Sequence, residues 1–110
     1  MDFNEYQVEA MKTAIYPGRD SLGGLNYTVL GLVGEAGELA NKLKKILRDK
    51  AGVVDGERLE LALELGDVLW YCAALAHELH TDLGTVAFLN LEKLAQRKER
   101  QTLGESGDQR

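Results

Sequence analysis

Apolar residues recur along this chain at helical spacing in four stretches, divided by polar or glycine-bearing breaks. Phe3, Tyr6, Val8, Met11 and Ile15 make a loose first pattern. It sits behind Asp2 and Glu5, a D-x-x-E start that reads as a capping box, and predicts a helix over residues 2–15. Pro17, Gly18, Gly23 and Gly24 break the pattern, so residues 16–25 are expected to form a loop, either a connector or a lid. Tyr27, Val29, Leu32, Val33, Ala36, Ala40, Leu43 and Leu47 set a second helix that fades near Gly52. Asp55 is the expected cap of a third helix over residues 56–79. Thr81 and Asp82 make the turn and cap before a fourth, residues 83–100, with Val86, Leu89, Leu91 and Leu94 as candidates for burial. From Gln101 the chain turns polar, as a frayed tail does. The pattern predicts an all-α fold, a compact bundle of about four helices, with one domain over residues 1–100 and a polar tail over 101–110.

Chemistry enters where the pattern is most apolar. In Leu61–Ala76, LALELGDVLWYCAALA, the only formal charges are Glu64 and Asp67, three residues apart and hence on one helix face. A carboxylate taken out of water needs a partner, and no cation lies nearby in sequence. Glu35 and Glu38 repeat the spacing in GLVGEAGELANKLKK. ExxE followed by ExxD therefore falls on the two central helices, and packing them side by side would gather four carboxylates. At about 4 Å and an effective dielectric near 20, each like-charge pair repels by roughly 4 kcal/mol. Hard divalent cations that take oxygen ligands answer this, Mg2+ or Mn2+ first among them.

Other residues carry two readings each. Lys42 and Lys45 continue the Glu35 side of the second helix, either as a solvated charged face or as contacts to substrate phosphates. Trp70 and Tyr71 follow Asp67 by one turn, where they either stack on a base or pack in the core. Gly34, Gly37 and Gly66 flank the acids and suggest close helix approach. Cys72 reads as a small core residue. His77 and His80, near a helix end, read as cap or solvent contacts ahead of metal ligands. Asn90, Lys93 and Arg97 lie at i, i+3 and i+7 and give the last helix one polar face.

Composition narrows the partners. A net charge of −5 with no basic run argues against tracking a polymeric nucleic acid or an anionic membrane. A single cysteine allows no internal disulfide, no apolar leader opens the chain, and the longest apolar run is too short to span a bilayer. A cytoplasmic protein is expected. At 110 residues the core is modest, and self-association would add burial.

The ordered set of Glu35 and Glu38, then Glu64 and Asp67, with GLVGEAGELANKLKK, LGDVLWY and NLEKLAQRKER, resembles the all-α nucleoside triphosphate pyrophosphohydrolases of the MazG-like family. The resemblance covers residues 29–100, and the tail GESGDQR is similar to the GSGDxR ending of some small members, differing at Glu105. It implies hydrolysis of an NTP or dNTP to monophosphate and pyrophosphate with Mg2+, as a homodimer or homotetramer, in nucleotide-pool housekeeping. It also implies that Glu35, Glu38, Glu64 and Asp67 are catalytic metal ligands and that Asn90, Lys93 and Arg97, matching N-x-x-K-L-x-x-R, contact sugar or phosphates. Lys42 and Lys45 would be secondary phosphate contacts. The alternative is a helical regulator or assembly module that binds metal or nucleotide without turnover.

Overall fold

The computed structural model describes residues 1–49 and 55–102 of the chain. Their regular structure is four α-helices and one short 3-10 turn, and no strand occurs among them, in agreement with the all-α expectation. Helix α1 covers Phe3–Met11 and α2 covers Leu22–Asp49; after the 3-10 turn Asp55–Glu57 come α3, Arg58–Glu78, and α4, Leu83–Thr102. The expected fading of the second helix near Gly52 and the tail beyond Thr102 lie outside the described residues.

Two helix starts follow their sequence signals. Asp2 Oδ1 accepts from the Glu5 N–H at 2.8 Å while Glu5 Oε1 accepts from the Asp2 N–H at 3.0 Å, the reciprocal bonds of a capping box. Asp82 Oδ1 accepts from the Thr85 N–H at 2.7 Å, and that bond holds the Asp82 carboxyl below its ordinary range. Three boundaries differ from expectation. Asp55 does not cap α3, which has Glu57 at its N-cap without a side-chain cap bond, while Asp55 Oδ1 pairs with Arg58 Nε at 3.0 Å. Helix α1 stops at Met11, where Thr13 donates its hydroxyl to the Ala10 carbonyl at 2.7 Å and Pro17 disfavours helical backbone at Tyr16. Helix α2 starts at Leu22, ahead of the expected Tyr27, and takes in both Gly23 and Gly24. Glycine at 24 answers a tertiary demand: a Cβ there would stand 2.7 Å from Glu78 Oε1. Helix α3 ends in a Schellman motif, with Thr81 N–H donating to the Ala76 carbonyl, His80 N–H to the His77 carbonyl, and His80 in the left-handed region at φ 59°.

Ala10, Ala73, Ala76 and Leu83 form the buried junction of α1, α3 and α4, with Tyr6, Met11, Leu69, Trp70 and Cys72 around it. Ala14, Tyr16 and Ala74 form a second buried group where the 12–21 connection meets α3. Gln7 closes the junction: its Nε2 donates to the Ala73 and Thr81 carbonyls, both at 3.3 Å, and its Oε1 accepts from the Leu83 N–H at 2.8 Å. One buried amide thereby satisfies three backbone groups. Cys72 is part of this packing, and burial pushes its thiol pKa up.

Helices α2 and α3 pair antiparallel, with Gly24 against Glu78, Gly31 against Tyr71, and Lys42 against Glu60 and Glu64. That register brings ExxE and ExxD face to face at mid-length. Helix α3 is central only over its C-terminal half, since Ala73, Ala74 and Ala76 are buried while Leu59, Leu63 and Leu65 are more than half exposed. Leu30 and Val33 on α2 are exposed too, as are Val86, Leu89, Leu91 and Leu94 on α4, which the apolar pattern had marked for burial. The radius of gyration is 17.2 Å, against about 13 Å for a compact chain of roughly 100 residues. No described helix is long and apolar enough to cross a membrane.

Candidate metal centre

Helix pairing gathers three of the four acids. One carboxylate oxygen each from Glu35, Glu64 and Asp67 lies within 4.8 Å of the other two. Glu35 comes from α2 and the other two from α3, so the group exists only through the tertiary register. Glu38, one turn beyond Glu35, is exposed and stands outside this group. Burial first, then the charges of Asp67, Glu64 and Glu38, raise the Glu35 pKa above its ordinary 4.5. All donors are hard oxygens, those of Glu35 and Glu64 half-buried and that of Asp67 exposed, and they repel one another, which fits a hard divalent cation.

A cation from the chain itself also reaches the group. Lys42 Nζ stands 3.2 Å from Glu64 Oε1 and 3.9 Å from Glu60 Oε2. Glu64 thus has a partner that the local sequence around it does not show, supplied from across the helix pair. Lys42 and Lys45 also line a cavity of about 260 Å³ together with Ile46, Asp49, Glu57 and Glu60. It adjoins the acid group through Lys42 and Glu60.

The aromatic residues after Asp67 divide. Trp70 packs on the core and donates its Nε1–H to Thr13 Oγ1 at 2.9 Å. Its ring meets Tyr71 edge to face at 5.0 Å and Tyr16 at 6.3 Å. Tyr71 lies against Gly31, where a Cβ would come within 2.5 Å of its Cδ1 and Cζ. Burial first, then Tyr27, Glu35 and Asp67, raise the Tyr71 pKa, so its phenol stays neutral beside the acids. Gly34, Gly37 and Gly66 have nothing within 4 Å of a built Cβ. The close approach expected at those three occurs instead at Gly31 and Gly24, because the facing positions on α3 there carry Tyr71 and Glu78. No hydrogen bond or ion pair among the described residues joins Asn90, Lys93 or Arg97 to the acids. Arg97 Nε is buried without a hydrogen-bond partner among those residues.

A second group went unread in the sequence. Asp20, His77 and Glu78 also bring one ligand atom each within 4.8 Å of one another. The signal was present in Glu78, a fourth acid at the end of the apolar helix, next to a histidine.

The fold and the acids together define an all-α protein with a carboxylate centre suited to a divalent cation. The profile of the MazG nucleotide pyrophosphohydrolase domain matches residues 24–102, a span holding all four acids and the polar face of α4. The chain therefore belongs to the MazG nucleotide pyrophosphohydrolase family. It is 55% identical to the "Gene 37 protein" of Mycobacterium phage L5, with the whole of both chains covered. No solved structure matches the chain.

Metal-free protein should show the strain of the acid group. The Glu35 pKa is raised on folding, so between that raised value and the ordinary one the native state binds more protons than the unfolded state. This contribution makes stability rise as pH falls through that window. Glu35→Gln is expected to raise the melting temperature of metal-free protein at neutral pH and to flatten this dependence. Mg2+ at a hundredfold its Kd should add about 2.7 kcal/mol to the parent protein, and distinctly less to the variant. Thermal melts with Mg2+ or EDTA across pH check both; equal melting of the parent in the two would remove the clustered cation.

Proposed function

We propose that the protein hydrolyses nucleoside triphosphates, NTP or dNTP, to nucleoside monophosphate and pyrophosphate with Mg2+, Mn2+ substituting, in nucleotide-pool housekeeping. The observation that carries this reading is the Glu35, Glu64 and Asp67 group, formed between α2 and α3 within the span matched by the pyrophosphohydrolase family. Those three residues hold the cation in this reading. When bound, it neutralises charge on the phosphate oxygens and on the leaving pyrophosphate. Glu38, exposed and outside the three-residue group, accepts the proton of the attacking water. Its position one turn from Glu35 supports this role.

The remaining residues bind and orient the substrate. Lys42 exchanges Glu64 for a phosphate oxygen as the cation enters, and Lys45 follows it from the same cavity. Tyr71, neutral and next to Glu35 and Asp67, borders the nucleoside, backed by Trp70. Asn90, Lys93 and Arg97 reach sugar or phosphates from a second copy of the chain. Support for a homo-oligomer lies in the exposed leucines of α3 and α4 and in the open shape of one chain. Monomeric proteins rarely leave so much apolar surface uncovered. Residues 1–100 act as one domain, in the cytoplasm, without polymeric nucleic acid or membrane as partner.

The test is a Mg2+-dependent screen of canonical and modified NTPs and dNTPs, with pyrophosphate and orthophosphate separated, on protein whose mass is measured by light scattering. Monophosphate plus pyrophosphate from a dimer or tetramer is expected. Diphosphate plus orthophosphate would overturn the assigned cleavage. No turnover by folded, metal-loaded protein would favour a non-catalytic regulator, and a monomeric mass would remove the second-copy contacts.

A further inference from the structure

We propose that Lys42 is a counter-cation built into the acid group, seated on Glu64 in the metal-free protein and released towards Glu60 when a divalent cation binds, so that cation and triphosphate bind cooperatively. The two ligands are those of the hydrolase reading above, on which this rests, and the counter-cation adds an order to their loading. Lys42 Nζ donates to Glu64 Oε1 at 3.2 Å, and Glu64 is one of the three residues whose oxygens converge. The same Nζ stands 3.9 Å from Glu60 Oε2, one turn before Glu64 on α3. One ammonium therefore spans two acids, one inside the convergent group and one outside it.

The two seats differ in strength. The Glu64 side chain is 26% exposed and that of Glu60 is 60% exposed. The pair with Glu64 is both shorter and less screened, so Lys42 rests there while the acids lack a divalent partner. A dication among Glu35, Glu64 and Asp67 reverses that preference. It outcompetes a single positive charge for the Glu64 carboxylate and repels the ammonium beside it. Glu60, outside the group, keeps the displaced ammonium close.

Release changes what the neighbouring cavity can hold. Lys42 and Glu60 both line it, with Lys45, Ile46, Asp49 and Glu57. Its three acids outnumber its two lysines, and in the metal-free protein one of those lysines is committed to Glu64. Such a wall repels phosphate. Once Lys42 has left Glu64, the wall gains a cation for a phosphate oxygen at the moment the acid group is loaded. By linkage, the factor by which the dication strengthens phosphate binding through Lys42 is the factor by which phosphate strengthens dication binding. Lys45 lines the same cavity without an ion pair to Glu64 among the described residues, so it reports the effect of charge without the contact.

The test is a pair of calorimetric titrations of the full chain, Mg2+ into nucleotide-free protein and inorganic tripolyphosphate into protein held in EDTA, with circular dichroism to confirm that each variant folds. Lys42→Gln should tighten Mg2+ by about two- to fivefold, the worth of a partly exposed ion pair, and by more than Lys45→Gln, which removes the same charge. In EDTA, Glu64→Gln frees Lys42 with no metal present. It should bind tripolyphosphate more tightly than Asp67→Asn, which removes the same charge and leaves Lys42 paired. Lys42→Gln should then cost at least about threefold more tripolyphosphate affinity in the Glu64→Gln background than in the parent. Equal Mg2+ affinity in Lys42→Gln and Lys45→Gln would overturn the counter-cation, as would an equal cost of Lys42→Gln in the two backgrounds, or no Mg2+ uptake by the parent. Neither titration reads hydrolysis. Turnover of nucleotides by a protein that fails them removes the counter-cation alone, and both signatures without turnover remove the hydrolase reading alone.

Discussion

Glu64→Gln and Asp67→Asn should each keep the helical fold and lose hydrolysis by more than about 100-fold, beyond the cost of losing an outer-shell partner. Both substitutions preserve side-chain volume and remove one negative charge from a group of three whose repulsion, after burial, raises the Glu35 pKa. Metal-free protein should therefore melt no lower than the parent, while the stabilisation by Mg2+ shrinks. Glu64→Gln carries an additional effect, because it frees Lys42 Nζ from its partner at 3.2 Å. Glu38→Gln separates binding from chemistry: it should retain most of the Mg2+ stabilisation and lose turnover. Product assays beside thermal melts decide the matter. Unchanged turnover in both Glu64→Gln and Asp67→Asn would sink the assigned site, and unchanged turnover in Glu38→Gln would move the proton to another acceptor.

These acids were legible in the sequence because their spacing is local. A three-residue interval on a helix fixes a common face whatever the helix packs against, so Glu64 with Asp67 and Glu35 with Glu38 stand out in apolar surroundings. Helix starts at Asp2 and Asp82 were legible for the same reason, each being a bond between residues three apart. What pairs with what across α2 and α3 was not. Lys42 with Glu64, and Gly31 with Tyr71, depend on a register that one helix pattern does not state. Gly23 and Gly24 illustrate the opposite failure. Glycine pairs mark loops on average, but here one of them is needed inside a helix because the Glu78 carboxylate lies against its backbone. Asp20, His77 and Glu78 escaped notice because a left-handed residue in a connection, invisible to periodicity, carries Asp20 to the end of α3.

The second large effect is expected at Gly31. Alanine there gains about 1 kcal/mol of helix propensity, but its methyl would stand 2.5 Å from Cδ1 and Cζ of Tyr71. The ring has little room to give way, being held edge to face by Trp70 at 5.0 Å with Tyr27 near its phenol. Overpacking of this kind costs typically 1–3 kcal/mol, so Gly31→Ala should lower stability on balance and Gly31→Val, with a branched Cβ, should lower it further. Each net kcal/mol corresponds to a fall of about 4–8 °C in melting temperature for a domain near this size. Gly34→Ala is the control: its Cβ meets nothing within 4 Å, so propensity alone acts and the chain should gain up to about 1 kcal/mol. The pair also reports on the site, because Tyr71 lies near enough to Glu35 and Asp67 to feel their charges, and a shifted ring alters their surroundings. Hydrolysis should fall in Gly31→Ala and hold in Gly34→Ala. Gly31→Ala melting at or above the parent would show that Tyr71 is not wedged against α2. A drop in Gly34→Ala that grows with protein concentration would instead place a second copy of the chain on the open face of that helix.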